Sequence, residues 1–396
     1  MTRGTRHADD DGAVEADGDA DDDDDESDTA DDLGDGPMTP RDWQLNPARD
    51  LAWSCPPVAN EVLAFHRSLD GYAPTPLVEL PDMASILGVR RVFAKDESSR
   101  LGLPAFKALG ASWAVHRALE SGLGGGRAPV TFVTATDGNH GRAVARFARL
   151  LGHLAQVFVP AGVSAQAIAA IEAEGAPVTD VGGSYDDAVS AAAALAHAEG
   201  AVLLQDTAWP GYEQVPTWIV EGYATLLAEA DDQLTARGVT APDLVVVPVG
   251  VGSLAQAAVT HARSRRTPGR TAVLSVEPTV AACVLASVRA GHMASVPTRV
   301  TSMAGLNCGT PSSLAWPVLR VGLDAAVAVD DADADAAAPL LRAGGVDAGP
   351  CGCASLAGAM AVLTGDGAAA RRAAMRLTPD ATVLLVVTEG ASANPD

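Results

Sequence analysis

The chain predicts an α/β fold of two domains, each a mostly parallel twisted sheet flanked by helices. Three observations predict it. From about Tyr72, short β-rich runs alternate with helical stretches, as in parallel strands joined by crossover helices. Glycines fall just past many of the helical stretches, where a left-handed stop is needed. The run Leu244–Pro248 is almost wholly apolar, as a strand buried on both faces must be. A length of 396 residues agrees with about two domains.

Arg91–Ala94 and its flanks read as a strand. Lys107–Glu120 is a helix by its apolar period, with Gly122 just beyond it. Four strand–helix repeats follow. Val130–Ala135 precedes the helix Gly141–Leu151, and Leu154–Pro160 precedes Ala165–Glu174. Val178–Val181 leads into the Ala-rich helix Tyr185–Glu199, and Ala201–Gln205 leads into Pro216–Ala230. Strands 130–205 form one compact sheet on this reading, and the strands on either side form a second. Leu244–Pro248 is followed by the helix Ala255–Arg263 and the strand Ala272–Glu277. Val383–Thr388 is the last strand. The Ala/Asp-rich stretch 324–338 reads as a helix start and a loop. The domains are then 38–104 with 226–396, the larger, and 105–225, the smaller.

Charge is unevenly placed. Residues 1–36 carry 16 Asp and Glu against two Arg, within a chain whose formal net charge is −23. The like charges repel and few apolar side chains offset the ordering entropy, so 1–37 reads as a disordered acidic tail. Such a balance excludes a general nucleic-acid binder, which needs a cationic surface. It offers no polybasic patch to a lipid surface. No apolar run reaches the roughly 18–20 residues of a membrane span. The acidic N-terminus lacks the pattern of a secretory signal. Five cysteines fit a reducing cytoplasm better than a disulfide framework.

The chain has 25 Arg but two Lys, Lys95 and Lys107. Where Arg has displaced Lys so widely, a surviving amine is a candidate for chemistry that Arg cannot supply. Lys107 opens a helix, where the dipole lowers its pKa and favours a neutral nucleophile. Lys95, at a strand end, reads as an ion-pair residue. Gly250-Val251-Gly252-Ser253 joins a strand to a helix. It suits a phosphate, through close backbone N–H groups and the helix N-terminus, or is a tight turn. With Ala255 and Glu277 the same loop also matches a dinucleotide fingerprint, with the ribose on Glu277. Thr136-Asp137-Gly138-Asn139-His140-Gly141 follows another strand and offers polar side chains on a glycine turn. His140 reads as a hydrogen-bonded structural residue. Asp206, after a fourth strand, is a candidate acid or base. Ligands in such folds lie past the carboxyl ends of strands. A phosphate loop, an amine and an Asp-Asn turn, all placed there, fit pyridoxal phosphate, whose aldehyde needs a lysine and whose ring stores electrons.

Here the residues resemble a family. Lys95 to Ser98, Gly102 to Lys107, Thr134 to Gly141, Asp206 to Tyr223, Gly250 to Gly252 and Met303 to Gly309 look like the diaminopropionate ammonia-lyases. These are fold-type II pyridoxal-phosphate enzymes of the tryptophan-synthase-β class. The likeness runs from about residue 40 to the C-terminus. It implies that Lys107 binds the cofactor aldehyde, Asn139 the ring hydroxyl, and Gly250, Val251, Gly252 and Ser253 the phosphate. Thr388 would face the pyridine nitrogen. Asp137 and Asp206 would be bases on opposite faces of 2,3-diaminopropionate, either enantiomer of which gives pyruvate and ammonia. A cytoplasmic homodimer is implied. The family's Glu-Ser-Gly stretch is replaced by Gly349-Pro350-Cys351-Gly352-Cys353, which removes a carboxylate and leaves open a lyase or dehydratase acting on serine, threonine or another β-substituted amino acid. Cys351 reads as a small packing residue. A non-catalytic pyridoxal-phosphate carrier or regulator is the alternative of another class.

Overall fold

The computed structural model describes residues 42–125, 129–264 and 271–393. The acidic segment 1–37 lies outside them. In chain order the elements are β1 (Trp43–Leu45), α1 (Glu61–Ser68), β2 (Leu77–Glu79), α2 (Pro81–Leu87), β3 (Arg91–Asp96) and α3 (Lys107–Glu120). Next come β4 (Thr131–Ala135), α4 (Asn139–Leu150), β5 (Leu154–Val159), α5 (Ala165–Glu172), β6 (Val178–Asp180), α6 (Tyr185–Leu195) and β7 (Ala201–Leu203). Then follow α7 (Gln214–Thr235), β8 (Leu244–Pro248), α8 (Ser253–Arg263), β9 (Ala272–Pro278), α9 (Cys283–Ala290), α10 (Ala315–Gly322) and β10 (Ala325–Val329). The last are α11 (Asp331–Ala343), α12 (Pro350–Leu363), α13 (Ala368–Ala374) and β11 (Thr382–Val387).

The strands form two sheets. One is four-stranded and parallel, in the order β6-β5-β4-β7. The other is seven-stranded, in the order β1-β10-β9-β8-β11-β3-β2. Its inner pairs are parallel, while β1 and β2 run antiparallel along its two edges. Every residue of β8, β9, β10 and β11 is buried, which is why these strands lack polar alternation.

The Ala/Asp-rich stretch departs from its sequence reading. Ala325–Val329 is a buried strand between β9 and β1, and a capping box of Asp330 and Asp333 starts α11 directly after it. Tertiary burial overrides the low strand preference of alanine here.

Helices α3 and α7 lie unusually close. A Cβ on Gly110 would meet the Tyr223 ring at 2.6 Å, and one on Gly222 would meet the Leu109 carbonyl at 2.6 Å. Only glycine at both positions permits this approach. The contact sets Tyr223 beside Phe106, their rings 4.7 Å apart, at the start of α3. Helix α7 itself runs without a break through residue 225.

Candidate active site

Lys107 is the first residue of α3, and the segment before it is sewn to the chain leaving β11. Phe106 N donates to the Thr388 carbonyl at 3.0 Å, Gly390 N donates to the Pro104 carbonyl at 3.0 Å, and Ala105 pairs with Glu389. The amine meets Asp206, with Nζ to Oδ2 at 2.5 Å. This overturns the expected lowering of the Lys107 pKa. Burial does push it down, but the Asp206 carboxylate outweighs burial and holds the amine well above its ordinary value. Lys107 is thus an ammonium until it gives its proton away.

Asp206 sits just after β7, and the residues around it fix that strand end. The Tyr212 hydroxyl accepts from Gln205 N at 2.8 Å and donates to the Leu203 carbonyl at 3.0 Å. Trp209 stacks on Tyr212, the ring centroids 4.5 Å apart. The Gln205 side chain reaches the end of β4, accepting from Ala135 N and Thr134 Oγ1, each at 3.0 Å. That link holds the strand ends of Asp206 and Asp137 in register. Ser253 Oγ also donates to the Asp206 carbonyl, at 3.1 Å, so the glycine loop and Asp206 are tied together.

The two carboxylates have different protonation behaviour. Burial raises the Asp206 pKa, yet Lys107 and then His140 more than offset this and hold it below the ordinary carboxylate value. Asp137 is pushed up to about 6, first by burial and then by the Asp206 charge, with Lys107 opposing. Two carboxyl groups with separated pKa values are a usual acid–base arrangement. His140 is structural, its Nε2 within 2.8 Å of the Leu204 carbonyl.

The glycine loop needs its glycines. Gly252 has φ +101°, in the left-handed region, and a Cβ on Gly250 would lie 3.0 Å from Cys308 Sγ and 3.2 Å from the Gly305 carbonyl. The loop backbone is therefore pressed against the Met303–Gly309 segment. The first-turn N–H groups of α8 follow it, without carbonyls one turn back to receive them. Glu277 does not serve this loop. Its carboxylate accepts from Val284 N and Leu285 N, both at 2.7 Å, and so caps α9. Burial pushes it up to about 8 against those two bonds. The dinucleotide reading fails on this geometry, because no acidic group remains for a ribose at that position.

Lys95 lies in a wholly buried ionic cluster. Nζ is 2.7 Å from Glu229 Oε2, while Arg100 binds both Glu97 and Glu229. The sequence reading of Lys95 as an ion-pair residue agrees with this. Cys351 packs at the start of α12, buried as expected, and burial with the neighbouring Glu389 raises its thiol pKa. The carboxylate missing from Gly349–Cys353 has a counterpart. Glu389, two residues past β11, accepts from Cys351 N at 3.2 Å and from Asn139 Nδ2 at 2.7 Å. Sequence reasoning passed over Glu389, although its place just after a strand was the signal. Tyr223, beside the Lys107 amine, carried no such signal because it comes from mid-helix.

These groups match what pyridoxal phosphate needs. Lys107 is an amine for an aldehyde, and Asn139 is a donor for the ring hydroxyl. Gly250 and Gly252 leave no room for a Cβ against the neighbouring segments, so backbone N–H groups line this turn, as a phosphate cradle needs. Thr388 Oγ1 is buried and has no partner among the described residues, so a hydroxyl stands ready for a ring nitrogen.

Comparison with known proteins agrees with that fit. A family model described as pyridoxal-phosphate dependent enzyme matches residues 69–389. Diaminopropionate ammonia-lyase of Salmonella typhimurium is 39% identical over 300 residues, covering 69% of this chain and 73% of that protein. The crystal structure of diaminopropionate ammonia lyase from Escherichia coli, in complex with an aminoacrylate-PLP azomethine reaction intermediate, superposes with TM-score 0.80 at 33% identity. It covers 89% of this chain and 94% of that one. Maize serine racemase shares the fold, with TM-score 0.70 at 21% identity over 86% of this chain and 94% of that one.

Proposed function

The chain belongs to the pyridoxal-phosphate dependent enzymes, and we propose that it is an ammonia-lyase converting 2,3-diaminopropionate and water to pyruvate and two molecules of ammonia. The observation that carries this reading is the triad of Lys107 ion-paired to Asp206, with Asp137 held near 6 by burial and the Asp206 charge.

Lys107 would hold the cofactor aldehyde, Asn139 the ring hydroxyl, Thr388 the ring nitrogen, and Gly250, Val251, Gly252 and Ser253 the phosphate. When bound, the cofactor supplies an electron sink for the pair released at the substrate Cα. The chain supplies the proton handling. Asp206, ionised across the working pH range, takes the α-proton from one face. Asp137, poised close to neutrality, takes it from the other. Lys107 Nζ shares a proton with Asp206 Oδ2, so a proton is at hand for the departing β-nitrogen. A hydroxyl at Thr388 leaves the ring nitrogen without a counter-charge, which favours expulsion of the β-group over full reversal at Cα.

The domain division proposed is 38–104 with 226–396 against 105–225. It is supported by the sheets, since the four-stranded sheet lies wholly within 131–203. We also infer a homodimer in the cytoplasm, supported by the family resemblance and by free thiols at all five cysteines.

Steady-state rates on D- and L-diaminopropionate for Asp137→Asn and Asp206→Asn test the two-base assignment. Each variant should lose one enantiomer at least about tenfold more than the other. Equal losses on both would overturn it. A panel including serine and threonine separates diaminopropionate from other β-substituted substrates, and binding without turnover on any of them would favour a carrier.

A further inference from the structure

We propose that Glu389 is a positioning residue for the cofactor ring, acting through Asn139, so that a buried carboxyl group sits one hydrogen bond behind the ring hydroxyl. The inference rests on the reading that pyridoxal phosphate occupies this site, and it goes beyond that reading.

Glu389 is 3% exposed. Both of its carboxylate oxygens accept hydrogen bonds from other segments. Oε1 accepts from Cys351 N at 3.2 Å, in the first turn of α12, where the helix N-terminus favours a negative charge. Oε2 accepts from Asn139 Nδ2 at 2.7 Å. Because Oε2 accepts from Nδ2, the Asn139 amide has one orientation, with its NH2 turned to Glu389. One N–H is used there. The other N–H remains to donate toward the ring hydroxyl.

The position is built rather than incidental. A Cβ on Gly349 would lie 3.1 Å from Glu389 Oε1, and one on Gly352 would lie 2.8 Å from the Glu389 carbonyl. Glycine at both places lets α12 close on this residue. The same residue pairs with Ala105 through its backbone and directly follows Thr388. Glu389 therefore joins the segments that carry Lys107, Asn139 and Thr388.

The test uses the holoenzyme and two readouts that do not depend on turnover. One is the pH midpoint of the visible absorbance of bound pyridoxal phosphate. The other is the cofactor Kd, from quenching of tryptophan fluorescence on titration with pyridoxal phosphate. An N–H donated to the ring oxygen stabilises negative charge there and so disfavours the protonated chromophore. Glu389→Gln loosens that donor and should thus raise the midpoint by about one pH unit and weaken the cofactor about tenfold. Asn139→Ala removes the donor altogether and should raise the midpoint in the same direction. On the Asn139→Ala background, Glu389→Gln should move it by less than half as much, because the relay is gone. An unchanged midpoint in either single variant overturns the proposal, as does a full-sized shift from Glu389→Gln in the double variant. Should Glu389→Gln not accumulate as folded protein, Glu389→Asp, which keeps the carboxyl group but shortens its reach to Asn139, takes its place in both backgrounds. A wild-type protein that takes up no pyridoxal phosphate is a different result, which removes the cofactor reading itself.

Discussion

Asp137→Asn should make the cofactor-free protein more stable near neutral pH. The folded chain raises the Asp137 pKa from 3.8 to about 6, through burial first and the Asp206 charge second. A raised carboxylate binds its proton more tightly folded than unfolded. Its favourable contribution is therefore complete below the unfolded value and is lost as pH rises through about 6. Above that pH the ionised carboxylate costs about 3 kcal/mol, at 1.36 kcal/mol per unit. Asp137 keeps partial contact with solvent, so about 2 kcal/mol is the better figure. Asparagine has no charge to bury and escapes this cost. Thermal melts of both proteins without cofactor, at about pH 7.5 and about pH 4, measure the effect. The variant should melt roughly 2–4 °C higher at the first pH and nearly level with wild type at the second. Equal midpoints at both, or the same gain at both, would refute the assignment of a strained, ionised Asp137. The gain should coincide with lost activity on one substrate enantiomer, as expected where a working group is held against its preference.

Other perturbations separate scaffold from chemistry. Lys95→Ala leaves Glu229 and Arg100 in an unbalanced buried cluster and should cost about 3 kcal/mol by urea unfolding, while the visible chromophore survives. Gly252→Ala forces a side chain onto φ +101° and sets its Cβ 3.0 Å from Leu319 Cδ1, so cofactor Kd should rise at least about tenfold by fluorescence titration. Asp206→Asn removes the second cause of the high Asp137 pKa, so the acid limb of the remaining kcat/KM profile should move below about pH 6.

Much of this molecule was readable in its sequence, for identifiable reasons. Lys107–Glu120 and Leu244–Pro248 have the same bounds in prediction and structure, because one has a clean helical period and the other a continuous apolar run. The residues just past β4, β7 and β8 fell where strand-end logic put them. Helix α12 escaped because it is buried on almost every face, so Pro350–Leu363 has no polar stripe to reveal a period. The strand β10 escaped because alanine carries no strand signal. Within the site, the positions of Asp137 and Asp206 were legible but their pairing was not. The Lys107–Asp206 contact joins residues 99 apart, and it reversed the dipole argument for the lysine. Glu389 and Asn139 are 250 residues apart, a contact no local pattern encodes.

The most direct measurement is borohydride reduction of the purified protein with pyridoxal phosphate, followed by peptide mapping. The reduced pyridoxyl group should appear on Lys107 alone and leave Lys95 unmodified. A label on Lys95, or an unlabelled Lys107 in protein that has bound the cofactor, would contradict the account.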